Sequence, residues 1–120
     1  MKVLIVEDDR AMRELIKRVL GRLVDCFCEC SDGADALAIY QAQRPDWVLM
    51  DIRLKEVDGL EATQQIITAQ PGARVLIVTS YNDASLREAA QRAGACGYVL
   101  KENLLELVGI LKESFSDFGF

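Results

Sequence analysis

The sequence predicts an α/β fold: a parallel five-stranded sheet covered by helices on both faces. Three observations carry that prediction. Short apolar or β-branched runs recur five times, and most are continuous rather than alternating, the pattern of strands buried on both sides. Each run is followed by a segment of helical period about 10–15 residues long. Strand and helix alternate strictly, with no linker, low-complexity segment or repeat between them. That order makes a three-layer sandwich with right-handed crossovers, and 120 residues suffice for one domain spanning 1–120.

The elements follow in order. KVLIV (2–6) is a buried strand bounded by Glu7, Asp8 and Asp9. RAMRELIKRVLGRL (10–23) is a helix that turns Met12, Leu15, Ile16, Val19, Leu20 and Leu23 inward, with Asp8 or Asp9 as its cap. DCFCEC (25–30) is a second strand whose three cysteines share one face. SDGADALAIYQAQR (31–44) is a helix with Ala34, Leu37, Ala38 and Ile39 inward, stopped by Pro45. DWVLM (46–50) is the third strand. VDGLEATQQIITAQ (57–70) is a helix started by the cap Asp58-Gly59 and closed by Pro71-Gly72. ARVLIVTS (73–80) is the fourth strand, and DASLREAAQRAG (83–94) a helix with Gly94 just past its end. CGYVL (96–100) is the fifth strand and LLELVGILKESF (104–115) the last helix.

Composition narrows the function. Hydrophobic residues make up 51% and charged residues 28%, a soluble globular chain. The net charge of −5 opposes direct nucleic-acid binding, which needs a basic stripe. No apolar run approaches the ~18 residues of a membrane span. MKVLIVEDD breaks into acids too early for a signal peptide, so the cytoplasm is the expected location. The cysteines, Cys26, Cys28, Cys30 and Cys96, do not suit zinc: the chain has no histidine, and C-x-C-x-C is not a zinc spacing. They are expected to be buried, reduced thiols.

Sites in open α/β sheets lie beyond the carboxyl ends of the strands. At those ends stand Glu7, Asp8 and Asp9 after strand one, Asp51 after strand three, Thr79 and Ser80 after strand four, and Lys101 after strand five. A buried strand that ends on an acid needs a partner for the charge. Converging carboxylates repel one another, and a hard cation such as Mg²⁺, which takes oxygen ligands together with a phosphate, relieves that repulsion. A carboxylate beside Mg²⁺ and a fixed ammonium suits phosphoryl transfer, with Asp51 as nucleophile forming an aspartyl-phosphate.

Taken together, LIVEDD, VLMDIRL, VDG, LIVTS and GYVLK resemble the receiver domain of bacterial two-component response regulators. The likeness runs from residue 2 to about 114, and it is the five motifs in order, at strand ends, that make it specific. It implies a flavodoxin-like (βα)5 sandwich with strand order 2-1-3-4-5. It implies Asp51 as the acceptor of a phosphoryl group from a histidine kinase. Asp8 would be a direct Mg²⁺ ligand, Glu7 a ligand through water, and the backbone carbonyl of Arg53 a third protein ligand. Thr79 would hydrogen-bond the phosphoryl oxygen, and Lys101 would pair with Asp51 or its phosphate. Tyr98 would be the aromatic switch that turns inward as Thr79 moves. The surface of helix four, strand five and helix five would then change for a partner, an output domain or a second copy.

The sequence departs from the family in two places. Lys55 stands where proline is common, which adds charge near the site and predicts a more mobile loop. Glu102, rather than proline, follows Lys101, as in many transcriptional regulators with a helix-turn-helix output, so a cis bond at 101–102 is not expected. Arg53 and Tyr81 flank the pocket with Ser80 beside them; their bulk predicts slow attack by water and a long-lived phosphoform. Residues 115–120, with Phe115, Phe118 and Phe120, would pack on the domain or begin a linker.

Other classes fit less well. A phosphohydrolase with an aspartyl-phosphate intermediate usually carries an acid where Arg53 stands, and needs a substrate cap for which the chain has no room. A receiver that takes no phosphate would not need the full set of Glu7, Asp8, Asp51, Thr79 and Lys101. A flavin protein would carry a glycine- or hydroxyl-rich phosphate loop after strand one.

Overall fold

A computed structural model describes residues 1–113. Its strands are β1 (Lys2–Val6), β2 (Cys26–Cys30), β3 (Trp47–Met50), β4 (Val75–Thr79) and β5 (Gly97–Leu100). Between and after them lie the helices α1 (Arg10–Leu20), α2 (Ala36–Gln43), α3 (Gly59–Ala69), α4 (Ala84–Ala93) and α5 (Glu106–Lys112). Short 3-10 turns cover Gly21–Leu23, Gly33–Asp35 and Lys101–Asn103. All strand pairs are parallel and the order is β2-β1-β3-β4-β5, the flavodoxin-like arrangement.

Alternate residues of each strand face opposite layers. Leu4, Val6, Val48, Met50, Val75 and Ile77 pack under Ala36, Tyr40, Ala62, Ile66 and Ala90 from α2, α3 and α4. Val3, Ile5, Trp47, Leu49, Leu76 and Val78 pack under Ile16, Leu20, Leu107 and Leu111 from α1 and α5. Strands β3, β4 and β5 are buried along their whole length, hence their continuous apolar runs.

Capping matches the sequence. Asp9, not Asp8, caps α1 by accepting from the Ala11 amide, while Asp58 and Asp83 cap α3 and α4. Asp8 is thereby left for another task. Gly94 closes α4 in the left-handed conformation.

Three expectations need correction. In α2 the inward residues are Ala36 and Tyr40, with Leu37 and Ile39 partly covered; Ala34 and Ala38 are exposed. The cause is the 3-10 turn at Gly33–Asp35, capped by Asp32, which delays the α-helix and rotates its face. Leu15 of α1 is 38% exposed rather than inward. Cys26 is exposed and Cys28, Cys30 and Cys96 are half-buried, all as free thiols. Cys26 to Cys30 sit on β2, an edge strand that the helices cover only in part. Burial still raises the Cys30 thiol to about 11.

The last regular helix starts at Glu106 and ends at Lys112; Phe115, Phe118, Phe120 and the linker expected over 115–120 lie outside the described residues. No cis peptide occurs among the described residues, and none of their helices is long and apolar enough to cross a membrane.

Candidate functional site

The register of the sheet assembles the site. Val6, the last residue of β1, lies opposite both Cys30 and Met50, so β1, β2 and β3 end at one level. The next residues are then side by side. The Glu7 amide donates to the Cys30 carbonyl at 3.0 Å, and the Asp51 amide to the Val6 carbonyl at 3.0 Å. Carboxylate oxygens of Glu7, Asp8 and Asp51 lie within 4.8 Å of one another. Glu7 and Asp51 are buried and Asp8 is exposed.

Lys101 completes the cluster. It is the first residue past β5, and its stem reaches past the end of β4, which separates β5 from β3. Its Nζ lies 2.6 Å from Glu7 Oε1 and 3.2 Å from Asp51 Oδ2. The other oxygens are also engaged: the Ile52 amide donates to Asp51 Oδ1 at 2.8 Å, and the Asp9 amide to Glu7 Oε2 at 3.0 Å. Burial raises the Glu7 carboxyl, opposed by the Lys101 ammonium and the Asp9 amide, while the Asp51 charge adds to the rise. Burial would lower Lys101, yet Glu7 and Asp51 outweigh it and hold the ammonium above its ordinary range. One ammonium faces three carboxylates. That excess of negative charge, on hard oxygen donors with Asp8 open to solvent, fits a divalent cation of the Mg²⁺ kind.

The β3–α3 loop, which carries Lys55, is tied to the loop after β2. Asp32 accepts from the Glu56 amide at 2.9 Å and the Val57 amide at 3.3 Å, as well as from Ala34 at 2.9 Å. A side chain on Gly59 would strike the Asp51 carbonyl, and one on Gly33 the Val57 carbonyl. Leu54 and Val57 pack on the core, while Arg53 and Lys55 are exposed.

On the opposite rim Thr79 is fully buried. Its hydroxyl accepts a long bond, 3.4 Å, from the Tyr81 amide. Tyr98 points inward and donates its hydroxyl to the Tyr81 carbonyl at 2.6 Å; burial raises that hydroxyl above its ordinary range. Arg87 of α4 lies 4.4 Å from the Tyr98 ring centroid, and Arg53 4.9 Å from that of Tyr81. Ser80 and Tyr81 are exposed.

Residues 3–112 match the family described as the response regulator receiver domain. The chain belongs to that family. This receiver is 35% identical to the chemotaxis protein CheY of Halobacterium salinarum over 100 residues, covering 83% of each chain. It is 33% identical to the transcriptional regulatory protein DegU of Brevibacillus brevis over 104 residues, covering 85% of this chain but only 44% of DegU. It superposes on a LuxR-family two-component response regulator from an Aurantimonas species with a TM-score of 0.90 at 30% identity, covering 99% of this chain and 88% of that one.

Glu7, Asp51 and Lys101, all read from the sequence, meet in one ion-paired cluster of this receiver with Asp8 beside it, and Thr79, Tyr81 and Tyr98 form a second connected group. Sequence reading missed three contributors. Asp32 was visible only as an acid after strand two; its role needs the fold, because its partners are 24 and 25 residues away. Arg87, which no motif marks, covers the Tyr98 ring. Arg13 of α1 donates to the Glu7 carbonyl at 2.6 Å and to Glu29 at 3.1 Å, bracing the turn that carries the acids.

Proposed function

We propose that this receiver takes a phosphoryl group from the phosphohistidine of a sensor histidine kinase onto Asp51 and works as a phosphorylation-dependent switch. An Asp51 carboxylate oxygen attacks phosphorus, the P–N bond to the imidazole breaks, and the imidazole leaves with a proton. Mg²⁺ would be held by Asp8, Asp51, the Arg53 carbonyl and, through water, Glu7, and would supply positive charge to the transferring oxygens. Lys101, freed from Asp51 as that charge moves outward, pairs with the phosphoryl group. Thr79 turns its hydroxyl toward a phosphoryl oxygen, giving up its long bond to Tyr81. Tyr98, already inward, is carried with the Tyr81 carbonyl that it bonds, and the α4–β5–α5 surface changes for an output domain, a partner or a second copy. The chain acts on itself rather than on a separate substrate, and its place is the cytoplasm.

The observation that carries this reading is the ion-paired cluster of Asp51, Lys101 and Glu7, with the Asp8 carboxylate beside it, at the ends of three parallel strands. Intact mass after incubation with acetyl phosphate tests it, with and without Mg²⁺, on wild type and Asp51→Asn. One phosphate on wild type with Mg²⁺ alone is the expected result. No gain by folded wild type refutes it and favours a module that binds partners without phosphate.

A further inference from the structure

The turn after β2 and the loop after β3 meet at one carboxylate. Asp32 Oδ2 accepts from the Ala34 amide at 2.9 Å and so caps the 3-10 turn Gly33–Asp35. The same side chain reaches across to the β3–α3 loop. Its Oδ1 accepts from the Glu56 amide at 2.9 Å, and Oδ2 accepts also from the Val57 amide at 3.3 Å. These backbone amides, that of Ala34 foremost, hold the carboxyl below the ordinary carboxylate range. A cap needs one oxygen, and serine or asparagine serves there as well as aspartate. The second oxygen goes to the other loop. Gly33 is committed to the same contact, because a Cβ there would strike the Val57 carbonyl oxygen. Asp32 itself is exposed and stands apart from the converging carboxylates of Glu7, Asp8 and Asp51.

The span that Asp32 closes holds Arg53. At its near end Ile52 is buried, and its carbonyl accepts from the Gly59 amide at 2.8 Å. At its far end Asp32 fixes the amides of Glu56 and Val57. Arg53, Leu54 and Lys55 lie between, each with two soft dihedrals, and Leu54 packs on the core. Fixed ends over so short a span leave its carbonyls few directions. We propose that Asp32 is a positioning residue for the divalent cation: it fixes the loop from which the Arg53 carbonyl is offered to the ion. The inference rests on the Mg²⁺ site proposed above. A carboxylate draws a cation by its charge, and exposed Asp8 can turn to follow it. A neutral carbonyl contributes only where it is held in place beforehand.

Electron paramagnetic resonance of Mn²⁺, which takes the same oxygen ligands and whose free-ion signal falls on binding, tests this on the unphosphorylated chain. Asp32→Ser keeps one oxygen for the Ala34 cap and has none for Glu56. It should weaken Mn²⁺ binding about three- to tenfold. That is less than the ~10–100-fold lost with a group bonded directly to a metal ligand, because Asp32 acts three residues away from Arg53. Amide hydrogen exchange over residues 53–57 should speed up in the same variant. Asp83→Ala, which removes the cap of α4, should lower the thermal midpoint and leave Mn²⁺ binding at wild-type strength, so a general loss of stability is told apart from a misplaced loop. Wild-type affinity in Asp32→Ser, or an equal loss in Asp83→Ala, overturns the proposal and leaves the cation site standing. A wild type that binds no Mn²⁺ refutes the cation site itself, and this role of Asp32 with it.

Discussion

Replacing Lys101 by methionine keeps the length of the side chain and removes the one ammonium in the acid cluster. Lys101, Glu7 and Asp51 are all largely buried, with side chains 16%, 3% and 7% exposed. Removing one partner of a buried pair typically costs about 3–5 kcal/mol, because the other charge stays buried without compensation. Here the cost has an outlet. Burial already raises the Glu7 carboxyl, and without Lys101 it rises further, so Glu7 can take a proton. The expected loss in metal-free buffer at pH 7.5 is therefore at the lower end, about 3 kcal/mol.

Two dependences follow from the same electrostatics. A carboxyl whose folded pKa lies above its unfolded value contributes stability that is present below the unfolded value and lost as pH rises through the folded one. The deficit of Lys101→Met should therefore shrink as the buffer is taken from pH 7.5 toward 5. A divalent cation binds only the assembled carboxylates, so saturating Mg²⁺ should stabilise the variant more than wild type. Urea unfolding monitored by circular dichroism, with EDTA or with Mg²⁺, reads both effects. A loss under about 0.5 kcal/mol, the level of an exposed pair, would refute the reasoning. So would a loss of equal size with and without Mg²⁺.

Gly59→Ala should destabilise the fold by about 2 kcal/mol or more in urea unfolding. The new methyl falls on the Asp51 backbone carbonyl, and the better helix propensity of alanine recovers only about 1 kcal/mol; unchanged stability would show that the loop shifts freely. Arg53→Asn and Tyr81→Ala, which each remove one half of the stack on the pocket rim, should each speed loss of the phosphoryl group by about two- to fivefold, the worth of an exposed cation–π contact. Loss of phosphate measured by intact mass over time checks this, and equal rates in all three proteins would dismiss the stack as a barrier to water.

How much of this was legible in the sequence varied with the range of the interaction. The strands could be read because burial on both faces leaves an uninterrupted apolar run, as in KVLIV and VLIVT. The bonded carboxylates and Lys101 could be read because each is the first polar residue after such a run, and parallel strands bring their ends to one edge. The phase of α2 could not, since one 3-10 turn after Asp32 rotates every later side chain. The clamp of Asp32 on the β3–α3 loop was equally hidden. Its partners are backbone amides, which no residue type announces.

The second group of contacts bears on how a change at Asp51 could reach the surface. Arg53, two residues past Asp51, stacks on Tyr81, whose carbonyl holds the Tyr98 hydroxyl, and the Tyr98 ring is covered by Arg87 of α4. The path from pocket to helix thus runs through one short hydrogen bond between two ring–guanidinium contacts. Thr79 joins this path only through the 3.4 Å bond that its hydroxyl accepts from the Tyr81 amide, which the proposed movement of Thr79 would break. Losing that bond costs little, so Thr79 can respond to a new charge. Tyr98 must exchange a good hydrogen bond and a cation–π contact together if it leaves, which favours two discrete positions over a continuum. A switch needs that combination of a loosely held trigger and a firmly held readout.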